Sequence, residues 1–145
     1  DLAKEKTLHD ALLGLIETGV VKSAHDCAEG GLAVALAECA ISELTARQTP
    51  RLTGAEIDLS EAECERLDAL LYGEAHGRVI ITTSEAEAGA AVDRAKLLGV
   101  PSARIGTVTG SDTLDVKAGD KSLSWNLSDL YDVWWNTIAR VMDKK

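Results

Sequence analysis

Ser23-Ala24-His25-Asp26-Cys27-Ala28-Glu29-Gly30-Gly31-Leu32-Ala33-Val34-Ala35-Leu36-Ala37-Glu38 changes character twice along its length. Val20–His25 reads as a short strand, Asp26–Gly31 as a tight loop, and Leu32 to about Leu44 as a helix. Leu32, Leu36, Cys39 and Ala40 fall on one side of that helix, and its alanine content predicts a close neighbour. A strand turning through Gly-Gly into a helix is a unit of mixed α and β architectures.

Working outward, Leu8, Leu12, Leu15 and Ile16 give residues 2–18 a helical stripe that Gly19 stops. Residues 45–54 read as a loop, and Ala55–Leu59 alternates like a strand. Ser60 with Glu63 predicts a capping box for a helix carrying Cys64, Leu67, Leu70 and Leu71. Arg78–Thr83 is nearly continuous in apolar character and predicts an interior strand. Ser84 with Glu87 predicts a second capping box and a helix to Leu98, ended by Gly99 and Pro101. Strands follow at Ala103–Thr109, Thr113–Lys117 and Ser122–Trp125, with hairpins only in this late part. Ser128 is the predicted cap of a last helix, Asp129–Met142, with Leu130, Val133, Trp134, Ile138 and Val141 at core spacing. The order α-β-α-β-α-β-α-β-β-β-α predicts an α/β (α+β) fold, a mixed sheet with flanking helices.

Composition bounds the function. The 145 residues are 46% hydrophobic and 27% charged, enough for a real core and too ordered in pattern for a disordered chain. No apolar run reaches the roughly 20 residues of a membrane span, and the start Asp1–Lys6 has no signal-peptide core. Fifteen basic against twenty-four acidic residues give −9, which disfavours nucleic acid and anionic membranes as partners. Cys27, Cys39 and Cys64 show neither CxxC nor zinc spacing and are expected to be buried, reduced thiols of a cytoplasmic protein. The chain does not begin with Met, so it is expected to be a single domain, 1–145, cut from something longer.

Two polar clusters could meet a ligand. In the first, His25, Asp26, Gly30 and Gly31 lie where a strand end runs into a helix start, a general setting for an anion. The alternative is a strand-to-helix turn in which Asp26 bonds backbone amides. Glu29 stands against an incoming phosphate, and neighbouring strand residues point apart, which disfavours a metal held by His25, Asp26 and Glu29. In the second cluster, Glu74 and His76 precede the apolar strand, and the alternative is a plain connecting loop. His9 is expected at the surface of the first helix. No GxSxG and no P-loop occurs, and no catalytic residue or metal ligand is assigned. Tyr131, Trp134 and Trp135 are expected to serve core or interdomain packing rather than a ligand cage.

Residues 23–38 resemble the SAHDxSxGGLAVALAE signature of the phosphoribosylformylglycinamidine synthase family. Leu71-Tyr72-Gly73-Glu74 through Arg78-Val79-Ile80-Ile81 is similar to the family's LFGES-x-x-R segment. Gly99-Val100-Pro101 with Arg104–Gly110 is similar to its GVP…RIGxVTG, and Leu130-Tyr131 to Arg140-Val141-Met142 to its closing LxxxYxxxxPRLM helix. The resemblance implies a domain like the C-terminal domain of aminoimidazole ribonucleotide synthetase, the last in a chain of two tandem repeats. It implies a parent enzyme that uses ATP and magnesium to replace the amide oxygen of formylglycinamide ribonucleotide with nitrogen in purine biosynthesis. It implies as partners the N-terminal domains of the same chain, a glutaminase subunit and a small accessory subunit. In this family the catalytic histidine and most ATP and magnesium ligands lie in N-terminal domains, so no cofactor is expected in this one.

This sequence departs from the pattern twice. Ala28 stands where the family has a serine, and Glu74-Ala75-His76 stands where the first repeat has a substrate-meeting Glu-Ser-Gln. Both changes imply a degenerate phosphate loop in a structural and interface domain. The alternatives are a C-terminal domain from a selenophosphate synthetase-like or hydrogenase-maturation-like member of the same superfamily, or a stand-alone small-molecule binding module. A domain of the first kind is expected to expose an apolar patch margined by helices 32–44 and 129–142, and to have no ligase activity when isolated.

Overall fold

The computed structural model describes residues 1–41, 52–62, 64 and 66–143. The elements run α1 (Leu2–Glu17), β1 (Ser23–Asp26), α2 (Gly31–Ile41), β2 (Gly54–Asp58), α3 (Leu67–Tyr72), β3 (Val79–Thr82), α4 (Glu85–Leu97), β4 (Gly106–Thr109), β5 (Thr113–Ala118), β6 (Lys121–Asn126) and α5 (Leu127–Met142). Their order is the one the sequence predicts. The chain divides into two compact units.

The first unit comprises Asp1–Glu29 and Glu74–Arg104. Its strands β1 and β3 form an antiparallel pair in the register Ser23↔Thr82 to Asp26↔Val79. Helix α1 is capped by the Asp1 carboxylate, which accepts from the Ala3 and Lys4 amides, and α1 packs on α4. Both helices end alike. The Gly19 amide donates to Ile16 O and that of Val20 to Leu15 O; in α4, Gly99 donates to Lys96 O and Val100 to Ala95 O. These are Schellman closures, and they require the left-handed φ of +74° at Gly19 and +82° at Gly99.

That closure corrects the first strand. Val20 and Val21 both donate to Leu15 O, so they belong to the end of α1, and β1 begins at Ser23 and takes in Asp26. The expectation of an interior strand at Arg78–Thr83 also changes: β3 pairs with β1 in a two-stranded sheet, and all four of its residues are half-buried. Its apolar run reflects partial burial on both faces rather than a central place. At α4 the capping pair is present in altered form, with Ser84 Oγ donating to Glu87 Oε2 at 2.6 Å instead of accepting from the helix backbone.

The second unit comprises Gly30–Gly73 and 105–145, described as far as Asp143. Its four-stranded sheet has the order β4-β2-β5-β6, with β2 antiparallel to β4 and parallel to β5. Strands β5 and β6 form a hairpin turning at Gly119, φ +62°. Strands β4 and β5 are not a hairpin, because β2 lies between them. Ile57, Leu114, Val116 and Ala118 are buried from this sheet. Helix α2 buries Leu32, Ala35, Leu36, Ala40 and Ile41 and packs against α3 and α5, the close neighbours its alanines predict. Its predicted extension to Leu44 and most of the 45–54 loop lie outside the described residues.

Two helix starts differ from expectation. The Ser60 amide donates to Asp58 Oδ1 at 2.8 Å, a local turn that occupies the segment, and α3 starts only at Leu67 after an extended Arg66. Glu63, the other half of the predicted capping box, lies outside the described residues. Helix α5 starts at Leu127, and its cap is Asn126, whose side-chain oxygen accepts from the Ser128 and Asp129 amides. Ser128 therefore lies inside the helix and donates its own hydroxyl to the cap.

Candidate functional site

The turn after β1 is built on two glycines in the left-handed region, Gly30 and Gly31, each with φ +73°. A Cβ on Gly31 would stand 2.7 Å from the carbonyl carbon of Tyr72, 2.8 Å from its Cα and 2.9 Å from the carbonyl oxygen of Leu71. Backbone cannot give way there as a side chain can. At Gly30 a Cβ would meet the Val34 side chain of the next helical turn. The turn thus lies in close approach to backbone, and its wall is the end of α3. Sequence reading quoted Leu71-Tyr72 and Gly30-Gly31 as separate segments; their contact through backbone leaves no side-chain pattern to find.

In the first unit, the end of β1 meets the start of β3 through backbone. Asp26 pairs with Val79, and the Cys27 amide donates to Arg78 O at 3.0 Å. His25 is half-buried opposite Ile80, and its Nδ1 lies 2.6 Å from Asp26 O. Its distance from the Asp26 carboxylate is 3.8 Å, too long for a hydrogen bond. Asp26, Glu74 and His76 are exposed. The Glu74–His76 loop leads into β3, and Gly77 within it has φ +75° with the Glu5 carboxylate 3.0 Å from its Cβ position. Gly30 and Gly31 belong to the second unit.

Cys27 is the buried thiol of this segment, and burial pushes its pKa up; Arg78 pulls it partly back and Asp26 reinforces the rise. A thiol held protonated in this way is a poor nucleophile. Cys39 and Cys64 are exposed, which corrects the expectation of three buried thiols. His9 is exposed on α1. Among the described residues no group of three or more His, Cys, Asp or Glu side chains is arranged to hold a metal ion. No helix among the described residues is long and apolar enough to cross a membrane.

The end of α5 is exposed where the helical spacing predicts core. Tyr131, Trp134 and Trp135 cluster with ring centroids 5.9 to 6.5 Å apart, but Val133, Trp134, Ile138 and Val141, predicted as core, are exposed. Of the two helices expected to margin an apolar patch, α5 exposes large apolar side chains, while α2 buries its apolar side except for Val34 and Cys39. A helical stripe reports that a face is covered without telling whether this chain supplies the cover.

Comparison with known proteins agrees with this architecture. The family model described as AIR synthase related protein, C-terminal domain, matches residues 1–119. Phosphoribosylformylglycinamidine synthase subunit PurL of Deinococcus radiodurans is 41% identical over 98% of this chain. The Thermus thermophilus subunit of the same name is 34% identical over 99% of it. Each match spans 18% of the relative's own length. Thermotoga maritima PurL complexed with FGAR superposes with a TM-score of 0.71 at 21% identity, over 88% of this chain and 21% of that one, a likeness of fold. The same protein complexed with ATP gives 0.70 at 21% identity, over 87% of this chain and 21% of that one. With the family model matched over residues 1–119 and relatives matched nearly end to end, the chain belongs to the AIR synthase related protein, C-terminal domain family.

Proposed function

We propose that residues 1–145 act as one C-terminal domain of a phosphoribosylformylglycinamidine synthase, in a structural and interface role. One observation carries the reading: relatives of that name match this chain nearly end to end, at 41% identity in Deinococcus radiodurans, within 18% of their own length. The parent chain would convert formylglycinamide ribonucleotide to its amidine in purine biosynthesis. There the amide oxygen leaves on the phosphate taken from ATP, and nitrogen from glutamine takes its place. ATP and magnesium would be held by other domains, with a glutaminase subunit and a small accessory subunit as partners in the cytoplasm. The structures of Thermotoga maritima PurL with ATP and of PurLQS support the choice of nucleotide and of assembly.

Within this domain, His25, Asp26, Glu74 and His76 in the first unit and, separately, Gly30 and Gly31 in the second are proposed as weak phosphate or ligand contacts. Ala28, without a hydroxyl, and the raised Cys27 pKa support a loop kept for its shape more than for binding. Complementation tests the reading. The open reading frame containing this sequence should restore purine-independent growth to a bacterium lacking the synthase, and the same frame without residues 1–145 should not. Failure of the expressed full frame to restore growth would overturn it.

A further inference from the structure

Helix α5 carries one apolar stripe, Leu127, Leu130, Tyr131, Trp134, Ile138, Val141 and Met142, at the spacing of a single helix face. The stripe is continuous in sequence but not in burial. Leu127 is fully buried and Leu130 and Tyr131 are half-buried, on the side where α5 packs against α2 and β6. From there it runs into solvent, with Trp134 41%, Ile138 76%, Val141 67% and Met142 72% exposed. The helix is about 24 Å long at 1.5 Å per residue, so roughly its second half carries this open face. Large apolar groups exposed together mark an interaction surface.

Two observations bear on its partner. The match to the family model covers residues 1–119 and ends before α5. The long relatives nevertheless match over 98 to 99% of this chain, α5 included. About four-fifths of the length of those long relatives lies outside the match and can supply further surface. The polar side supports an apolar partner surface: Asp132 is already held by Arg140 at 2.6 Å and by Asn136 at 2.8 Å, leaving that carboxylate satisfied within the helix. The ring cluster of Tyr131, Trp134 and Trp135 is preformed, which lowers the ordering cost of docking.

We infer that the second half of α5 is a docking ridge, its occupant an apolar groove on another domain of the same polypeptide. The inference rests on the proposed place of this chain within a long synthase. Its test is the labelling rate of Ile138→Cys with a soluble thiol reagent, read by the mass of the α5 peptide. The isolated chain is compared with the product of the full open reading frame at equal, low concentration. Ile138 is exposed, so the variant should fold; Val141→Cys provides a second reading of the same face. Labelling should be at least about tenfold slower in the full product. Equal rates would overturn the inference. So would protection in the isolated chain that grows with its concentration, which assigns the face to a second copy. Protection of the full product only after the glutaminase subunit is added would overturn it too, by assigning the face to that subunit. Labelling does not measure catalysis, so this failure is distinct from failure of complementation.

Discussion

Gly31 combines two constraints that are separable by experiment. Its φ of +73° strains any L side chain, and the Tyr72 and Leu71 backbone occupies the space of a Cβ. Gly19 and Gly99 share the positive φ but have nothing within 4 Å of the Cβ position. Gly19→Ala should therefore cost about 1 kcal/mol, and Gly31→Ala clearly more, about 2–4 kcal/mol, by urea unfolding. Equal costs would mean that the contact with Tyr72 is soft. Cys27 gives a pH prediction with a definite sign. Its pKa is raised in the folded protein, so its stabilising effect is complete below the ordinary thiol value of about 8.5 and is lost as pH rises through the folded value. The unfolding midpoint should fall more steeply between about pH 8 and 10 in the parent than in Cys27→Ala, while Cys39 and Cys64 react first with alkylating agents. These residue-level features were partly legible. Gly30-Gly31 was legible as a tight turn, whereas burial separated Cys27 from the other two thiols by tertiary packing that spacing does not encode.

Elements were legible in kind and order, less so at their ends. Val20 and Val21 look like strand residues, yet their amides are taken by Leu15 O in closing α1. Ser60 has the composition of a helix cap but is held in a turn by Asp58. In both places a local backbone hydrogen bond overrides side-chain propensity. Helix α5 tests this directly. Asn126→Ala should cost about 1 kcal/mol because its oxygen receives two helix amides, whereas Ser128→Ala should cost little. Along the stripe, Leu127→Ala should cost about 2–5 kcal/mol in the isolated chain. Ile138→Ser should stay within about 0.5 kcal/mol there, since that position already faces water. A large loss from Ile138→Ser would mean that the isolated chain covers its own ridge. The stripe was plain in the sequence; the missing cover was not, since periodicity records a helix's partner without saying which domain supplies it.

At the scale of the molecule, the mixed sheet was legible because strands and helices alternate until the β5–β6 hairpin. The insertion of β2 between β4 and β5 was not, since strand order depends on contacts remote in sequence. The candidate site was legible as segments, through His25–Gly31 and Leu71–Arg78, and the structure adds that these segments meet within each unit. A net charge of −9 and the absence of a hydroxyl at Ala28 predict weak anion binding. Phosphate titrated against the amide shifts of Gly30 and Gly31 should give a Kd of about 1 mM or weaker, and micromolar binding would mark a working site. Under the proposed function, this chain supports a catalyst whose ATP-binding residues lie in other domains. Phosphate release from ATP, in the presence of magnesium, formylglycinamide ribonucleotide and ammonia, tests it most directly. The product of the full open reading frame should turn over within the enzyme range of about 1–10³ per second, and the isolated chain should release nothing above the rate without protein. Turnover by the isolated chain in that range would contradict the account.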